Sequence, residues 1–310
     1  MRLRRAAVAL IAVVAVPAVG LAVGGAYETF ARRHDSRDHP PPGRLVDVGG
    51  HRLHIACAGT ATGGDTIILE AGLGDSSADW ADVQSSLSER GRVCSYDRAG
   101  YAWSEPGPEP RTAGQEADEL HSLLHNAGED GPYVLVAHSY GGFVARLFAH
   151  RWLDETAGLV LLDVANEDAD LTAATKLAAL EFAAVRVVAR AGVVRLFGAA
   201  GLDRHTPELA RRHSPVVYGP GTYTAGLLEL RAFDETIRQV RPILIPGRLG
   251  DRPVIVVSAG TTEPADRDHH RSLANLSTRG EWILADGTGH VIHYTRPDLV
   301  IAFIERALRR

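Results

Sequence analysis

An α/β fold built on a mostly parallel eight-stranded sheet, with helices on both faces and a helical cap inserted after strand 6, is what this sequence predicts. Three observations predict it. Short apolar runs rich in Val, Ile and Leu recur along the chain, as strands buried on both faces of a parallel sheet require. Stretches with apolar residues at i, i+3 and i+4 alternate with those runs, the pattern of βαβ units. The interval from Asp163 to Pro253 shows helical periodicity and no strand run, and it is too long for a structureless loop.

In chain order, Gly43 to Val48 and His51 to Cys57 flank Gly49-Gly50 and read as a hairpin, which adds an antiparallel edge. The remaining strand candidates are Thr66 to Glu70, Arg92 to Tyr96, Tyr133 to Ala137, Leu159 to Asp163, Pro253 to Ala259 and Glu281 to Ala285. Helices are expected over Asp79 to Arg90, Thr112 to Ala127, Tyr140 to Arg151 and Pro297 to Arg310. The cap is expected at about 166–250. Its stretch from Leu177 to Phe197 is apolar enough to supply a pocket wall as well as packing.

The chain has 310 residues, 45% hydrophobic and 23% charged, which suffices for one large core or two small domains and excludes disorder. A net charge of −5 leaves no basic face to displace counterions from phosphates, so nucleic acid is excluded as a partner.

The N-terminus carries a targeting signal. Arg2, Arg4 and Arg5 precede an apolar run from Ala6 to Ala26, long enough for a secretory signal or a membrane-spanning helix. Residues 1–28 are therefore expected to be a signal peptide or membrane anchor. Cleavage after Ala26 would set Gly24 and Ala26 at the small-residue positions, but an uncleaved anchor with a cytoplasmic N-terminus is preferred. Residues 29–43, charged and ending in Pro40-Pro41-Pro42-Gly43, read as a linker to a domain at 44–310. That domain is placed outside the cytoplasm, where Cys57 and Cys94 have two open fates, a disulfide or two buried thiols.

Chemistry concentrates at the turn after the strand Tyr133 to Ala137. Serine needs exposure and a base to act as a nucleophile. A sharp strand-to-helix turn at Ser139 supplies exposure and sets the N–H of Tyr140 at a helix N-terminus. Such a turn is crowded, and the residues two before and two after the serine, Ala137 and Gly141, are small. The segment Ala137-His138-Ser139-Tyr140-Gly141 resembles the Gly-x-Ser-x-Gly nucleophile elbow of the α/β-hydrolase superfamily, with alanine in the first glycine position.

Three further segments resemble that superfamily in the right order. Glu70-Ala71-Gly72-Leu73-Gly74-Asp75 resembles its His-Gly loop with Ala71 in place of histidine, which implies that the N–H of Leu73 joins that of Tyr140 in an oxyanion hole. Two such donors would lower the barrier by ~3–4 kcal/mol each. Asp97-Arg98-Ala99-Gly100-Tyr101-Ala102-Trp103-Ser104 resembles the Asp-Arg-x-Gly-x-Gly-x-Ser turn, where Asp97 and Arg98 are expected to hold the loop rather than touch substrate. Asp286-Gly287-Thr288-Gly289-His290 follows the last strand and makes His290, of fourteen histidines, the candidate general base. His293 is a candidate lid or supporting contact. His138 is expected to point away from Ser139.

The acid that orients the histidine has two candidate positions in the superfamily. Asp163, at the end of the sixth strand, is preferred; Glu263, after the seventh, is the alternative, with Asp266 and Asp268 nearby. The resemblance runs from Arg44 to Arg310. Within it the chain is most similar to N-terminally anchored bacterial serine hydrolases of the AB hydrolase-1 type that share the opening Pro-Gly-Arg-Leu-Val-Asp-Val-Gly-Gly.

The resemblance implies a serine hydrolase, carboxylesterase-like, acting on a small hydrophobic ester. No phosphate loop or metal-ligand spacing is found, so no cofactor is expected. Haloalkane dehalogenases and epoxide hydrolases carry aspartate at the elbow, and Ser139 speaks against them. A serine-type haloperoxidase, a C–C bond hydrolase and a ligand-binding protein that has lost turnover stay open.

Overall fold

The computed structural model describes residues 2–60, 64–168, 172–197 and 215–309. Eight strands form one sheet: β1 (Arg44–Asp47), β2 (Arg52–Ala58), β3 (Thr66–Glu70), β4 (Val93–Tyr96), β5 (Tyr133–His138), β6 (Thr156–Leu162), β7 (Val254–Ala259) and β8 (Gly280–Ala285). Their spatial order is β1-β2-β4-β3-β5-β6-β7-β8. β1 pairs with β2, and β2 with β4, antiparallel; every other pairing is parallel. The expected architecture is the one observed. β6 starts at Thr156 and stops at Leu162, so Asp163 follows the strand rather than ending it.

Alternation along the central strands divides the core. Leu135, Ala137, Leu159, Leu161, Val254 and Val256 face one side, against α3 (Ala113–Ala127) and α4 (Gly141–Arg151). Val134, Val136, Val160, Leu162, Ile255 and Val257 face the other, with Trp80, Val83 and Leu87 of the segment leading into and forming α2 (Ala81–Ser88). Val300 and Ile304 of the last helix, Pro297–Leu308, complete that layer. A period of two with both faces buried explains why these strands read as unbroken apolar runs.

Between β6 and β7 lie α5 (Thr172–Arg190), α6 (Val193–Phe197), α7 (Pro220–Arg231) and α8 (Phe233–Val240). Residues 198–214 of the expected cap lie outside the described residues. α5 meets its own small cluster, with Val185, Ala189 and Val194 packed near Tyr218 and Tyr223. Leu177, Leu180, Val187, Val188 and Leu196 stay exposed. After β7 a helix the sequence reading missed, α9 (Pro264–Leu273), precedes β8. Two helices follow β8, α10 (Ile292–Thr295) and α11 (Pro297–Leu308).

The N-terminal region differs from expectation. Helix α1 runs from Arg2 to Asp38, so most of the expected linker 29–43 is helical. It lies on the cap: the Arg195 guanidinium bonds both Glu28 and Asp35, at 2.7 Å to each. A Cβ on Gly24 would fall 2.1 Å from the Ala191 carbonyl oxygen, so only glycine permits this approach. Asp35, within the stretch that read as a linker, shares with Glu28 an ion pair whose other half lies some 160 positions on. Among the described residues no helix is long and apolar enough to cross a membrane. Most side chains of the apolar run 6–26 lie outside the described residues.

Cys57 and Cys94 face each other in register on β2 and β4 and form a disulfide. Of the two fates left open by the sequence, this is the one the structure contains.

Candidate active site

β5 delivers Ser139 to its carboxyl end, where the chain reverses into α4. Ser139 has φ 51°, in the left-handed region that costs a side-chain-bearing residue about 1–3 kcal/mol. The turn is clamped: Ser139 N–H donates to Leu162 O at 3.2 Å, and Ser139 O accepts from Gly142 N–H and Ala165 N–H. Crowding explains the small residues. A Cβ on Gly141 would lie 2.6 Å from the Ala71 carbonyl oxygen, and one on Gly142 would lie 2.4 Å from Val164 Cγ1.

Asp163 occupies the equivalent place one strand along and also has a positive φ, 45°. Its N–H donates to Val257 O at 2.7 Å, which ties it to β7. One carboxylate oxygen accepts from Ala259 N–H at 3.0 Å and from the Thr262 hydroxyl; the other lies 2.7 Å from His290 Nδ1. Burial alone would raise its pKa, but the hydrogen bonds from His290, Thr262 and Ala259 outweigh it and hold the carboxyl at about 2. It is a fixed anion.

His290 stands on the loop after β8. Gly287 (φ 73°) turns the chain, and the Thr288 hydroxyl bonds Ala285 O at 2.7 Å. The imidazole is half exposed, with Nε2 3.1 Å from Ser139 Oγ. With Nδ1–H donated to Asp163, Nε2 presents its lone pair to the serine hydroxyl, the tautomer a general base needs. The structure thus brings Ser139, His290 and Asp163 into one chain of hydrogen bonds.

Glu263 is not part of it. It stands exposed at the position before α9 without a side-chain bond to the helix N-terminus, and the turn expected to supply the acid contributes the Thr262 hydroxyl instead. Asp266 accepts from Asn166 Nδ2 at 2.9 Å and Asp268 pairs with Arg271.

Leu73 and Tyr140 flank Ser139 from the β3 loop and from the start of α4. Among the described residues neither backbone N–H finds an acceptor. Gly72 brings the loop close: a Cβ there would stand 3.3 Å from Ser139 Cβ. His138 makes no hydrogen bond to Ser139; it bonds His290 O through Nε2 at 3.0 Å, its Nδ1 lies 3.3 Å from Asp75 Oδ2, and its ring lies 4.6 Å from that of His290. It therefore braces the base loop against the β3 loop. His293 stacks on Trp80 at 4.4 Å and meets the His138 ring at 4.5 Å, tilted by 56°. From the cap, the Phe182 ring reaches 3.2 Å from the site of a Cβ on Gly74, and Gly226 leaves it room.

Asp97 does hold its loop, accepting from Ser77 N–H at 2.7 Å and lying 2.8 Å from His54 Nδ1. Arg98 does more than the sequence reading allowed it. Buried, it bonds Glu70 at 2.7 Å, the carbonyls of Ala71 and Gly72 at 2.6 and 2.8 Å, and Glu229 of α7 at 2.9 Å. Glu116, Glu119 and Arg111 extend the cluster. It holds the carboxyls of Glu70, Glu116, Glu119 and Glu229 against the guanidiniums of Arg98 and Arg111. Burial pushes Glu70 up to about 7, and Glu116 is also raised, first by burial and then by the nearby Glu229. No sequence signal marks these partners, because Glu229 lies 131 positions from Arg98.

Residues 67–303 match the model of the Alpha/beta hydrolase family, and the chain belongs to that family. An uncharacterized Bacillus subtilis (strain 168) protein, YqjL, is 28% identical over 243 residues, covering 76% of this chain and 81% of its own length. The fold is similar to that of the enol-lactonase from Burkholderia xenovorans LB400, with TM-score 0.64 and 21% identity over 86% of this chain and all of that one. It is also similar to that of a thermophilic esterase from Thermogutta terrifontis, with TM-score 0.63 and 21% identity over 86% and 97% of the two chains.

Proposed function

We propose that the protein hydrolyses carboxylic esters with a hydrophobic acyl or alcohol part through an acyl-enzyme on Ser139. The observation that carries this reading is the relay Ser139 Oγ, His290 Nε2, His290 Nδ1, Asp163, with steps of 3.1 and 2.7 Å. Ser139 Oγ attacks the ester carbonyl carbon as its proton passes to His290 Nε2. The carbonyl π pair moves to oxygen, where the N–H groups of Leu73 and Tyr140 receive the charge. Collapse breaks the ester C–O bond and the alcohol leaves with the proton from His290. Water repeats the sequence on the acyl-enzyme, releasing the acid and restoring Ser139. Asp163, already an anion, stabilises the imidazolium in both halves. Similarity to an esterase and to an enol-lactonase fits acyl chemistry of this kind. Phe182 above Gly74 supports an apolar substrate.

The Cys57–Cys94 disulfide and the apolar N-terminal run support a location outside the cytoplasm, with the N-terminus as signal or anchor. The reaction is tested with a fluorophosphonate probe. Folded wild type takes up one equivalent and Ser139→Ala takes up none. No uptake by wild type, or equal uptake by Ser139→Ala, removes the reading. A series of esters of increasing acyl length then defines the substrate.

A further inference from the structure

We propose that Arg98 is a positioning residue for the oxyanion donor, and that Glu229 of the cap holds it there, so that the seating of the cap is transmitted to the oxyanion hole. The proposal rests on the reading of Leu73 N–H as that donor. Gly72 C=O and Leu73 N–H belong to one planar peptide unit and point in opposite directions. Whatever fixes the carbonyl fixes the N–H. Arg98 Nη2 donates to Gly72 O at 2.8 Å and Nη1 to Ala71 O at 2.6 Å, so two successive carbonyls are drawn to one buried cation. The N–H groups of Gly72 and Leu73 then face away from Arg98. The charge also polarises the peptide, which strengthens its N–H as a donor.

Glu229 sets the position of the guanidinium. Its carboxylate receives Arg98 Nε at 2.9 Å and Nη2 at 3.2 Å, in the bidentate geometry that fixes orientation as well as distance. The same carboxylate accepts the Tyr101 hydroxyl at 2.8 Å, and Tyr101 Oη in turn receives Gly74 N–H at 3.4 Å. One carboxylate on α7 therefore grips the loop at both ends, through Arg98 at Ala71 and Gly72 and through Tyr101 at Gly74. Arg98 and Glu229 are 3% and 1% exposed, so water cannot take over for either partner. A cap helix displaced from its seat takes Glu229 with it and frees the peptide that carries the donor.

The test measures turnover per active site. End-point fluorophosphonate labelling counts competent sites, and steady-state hydrolysis divided by that count gives kcat per site. A merely structural Arg98 lowers the count and leaves kcat per site unchanged. Arg98→Lys, which keeps the charge but loses the fork, is expected to lower kcat per site by about 10- to 100-fold, with KM changed less than about twofold. Glu229→Gln keeps volume and one acceptor and is expected to fall less, whereas Glu229→Leu falls further. That graded rescue belongs to positioning. Wild-type kcat per site in both Arg98→Lys and Glu229→Gln overturns the proposal, as does a Glu229→Leu no worse than Glu229→Gln. If Arg98→Lys does not fold, the Glu229 pair decides the matter. An unlabelled wild type removes the functional reading together with this one; labelled variants at wild-type rates remove only this one.

Discussion

Asp163 and Glu263 have the same chemistry and differ in what surrounds them. Asp163 receives a backbone N–H, a hydroxyl and an imidazole, whereas Glu263 is exposed at a helix start. Asp163→Asn keeps the shape but removes the charge that selects the tautomer of His290. It is expected to lower kcat by about 10⁴-fold, while Glu263→Gln stays within about twofold of wild type. Steady-state kinetics of the two variants checks this, and the reverse ranking would move the acid. Ser139 and His290 were legible in sequence because each sits in a short local pattern beside its strand. The choice of acid was less so, because it depends on how far two loops lean towards one imidazole. Thr262 decides part of that and gives no signal of its own.

At the scale of elements, most strands were legible to within a residue, the central ones because both faces of the sheet are buried there, although β6 begins three residues before the expected start. The long helix α1 was not. Charge and proline at 29–43 argue locally for a linker, whereas Arg195, far along the chain, ties Glu28 and Asp35 into a docked helix. The β2–β4 pair is the place to test how elements support one another. Its disulfide closes a loop of 37 residues, and chain entropy assigns such a link about 4 kcal/mol of stability. Urea unfolding of Cys57→Ala/Cys94→Ala is expected to show a loss of that order. A loss below about 1 kcal/mol would mean that strand pairing and core packing hold this edge without help.

For the molecule as a whole, buried carboxyls set two opposing pH responses. Asp163 and Glu167 are each held at about 2. For Glu167, burial pushes upward but the Arg146 charge and the bond from His269 prevail. Their folded pKa values lie below the ordinary 3.8 and 4.5, so the stability they contribute is present above about pH 4.5 and is lost as pH falls towards 2. Glu70 behaves in the opposite sense. Its folded pKa of about 7 exceeds the ordinary 4.5, so its contribution is complete below pH 4.5 and is lost as pH rises through 7. Glu70→Gln keeps the acceptor for Arg98 and removes the titration. Urea midpoints are expected to fall between about pH 5 and pH 7.5 in wild type, and to fall less in Glu70→Gln. Equal slopes in the two proteins would place the titrating group elsewhere. None of this was legible in the sequence, where Glu70 is one acidic residue closing a strand.

The left-handed backbone at Ser139 has a consequence for how this chain tolerates change. The position suits glycine and is occupied by a residue with a side chain, so the folded protein carries a local conflict, for which the nucleophilic role proposed for Ser139 accounts. Ser139→Gly relieves it, and is expected to raise the unfolding free energy by up to about 1 kcal/mol while abolishing hydrolysis. Thermal melts of Ser139→Gly and Ser139→Ala, the second keeping the conflict, separate backbone relief from loss of the hydroxyl. A library of variants selected for durability alone would therefore drift towards silence at this one codon.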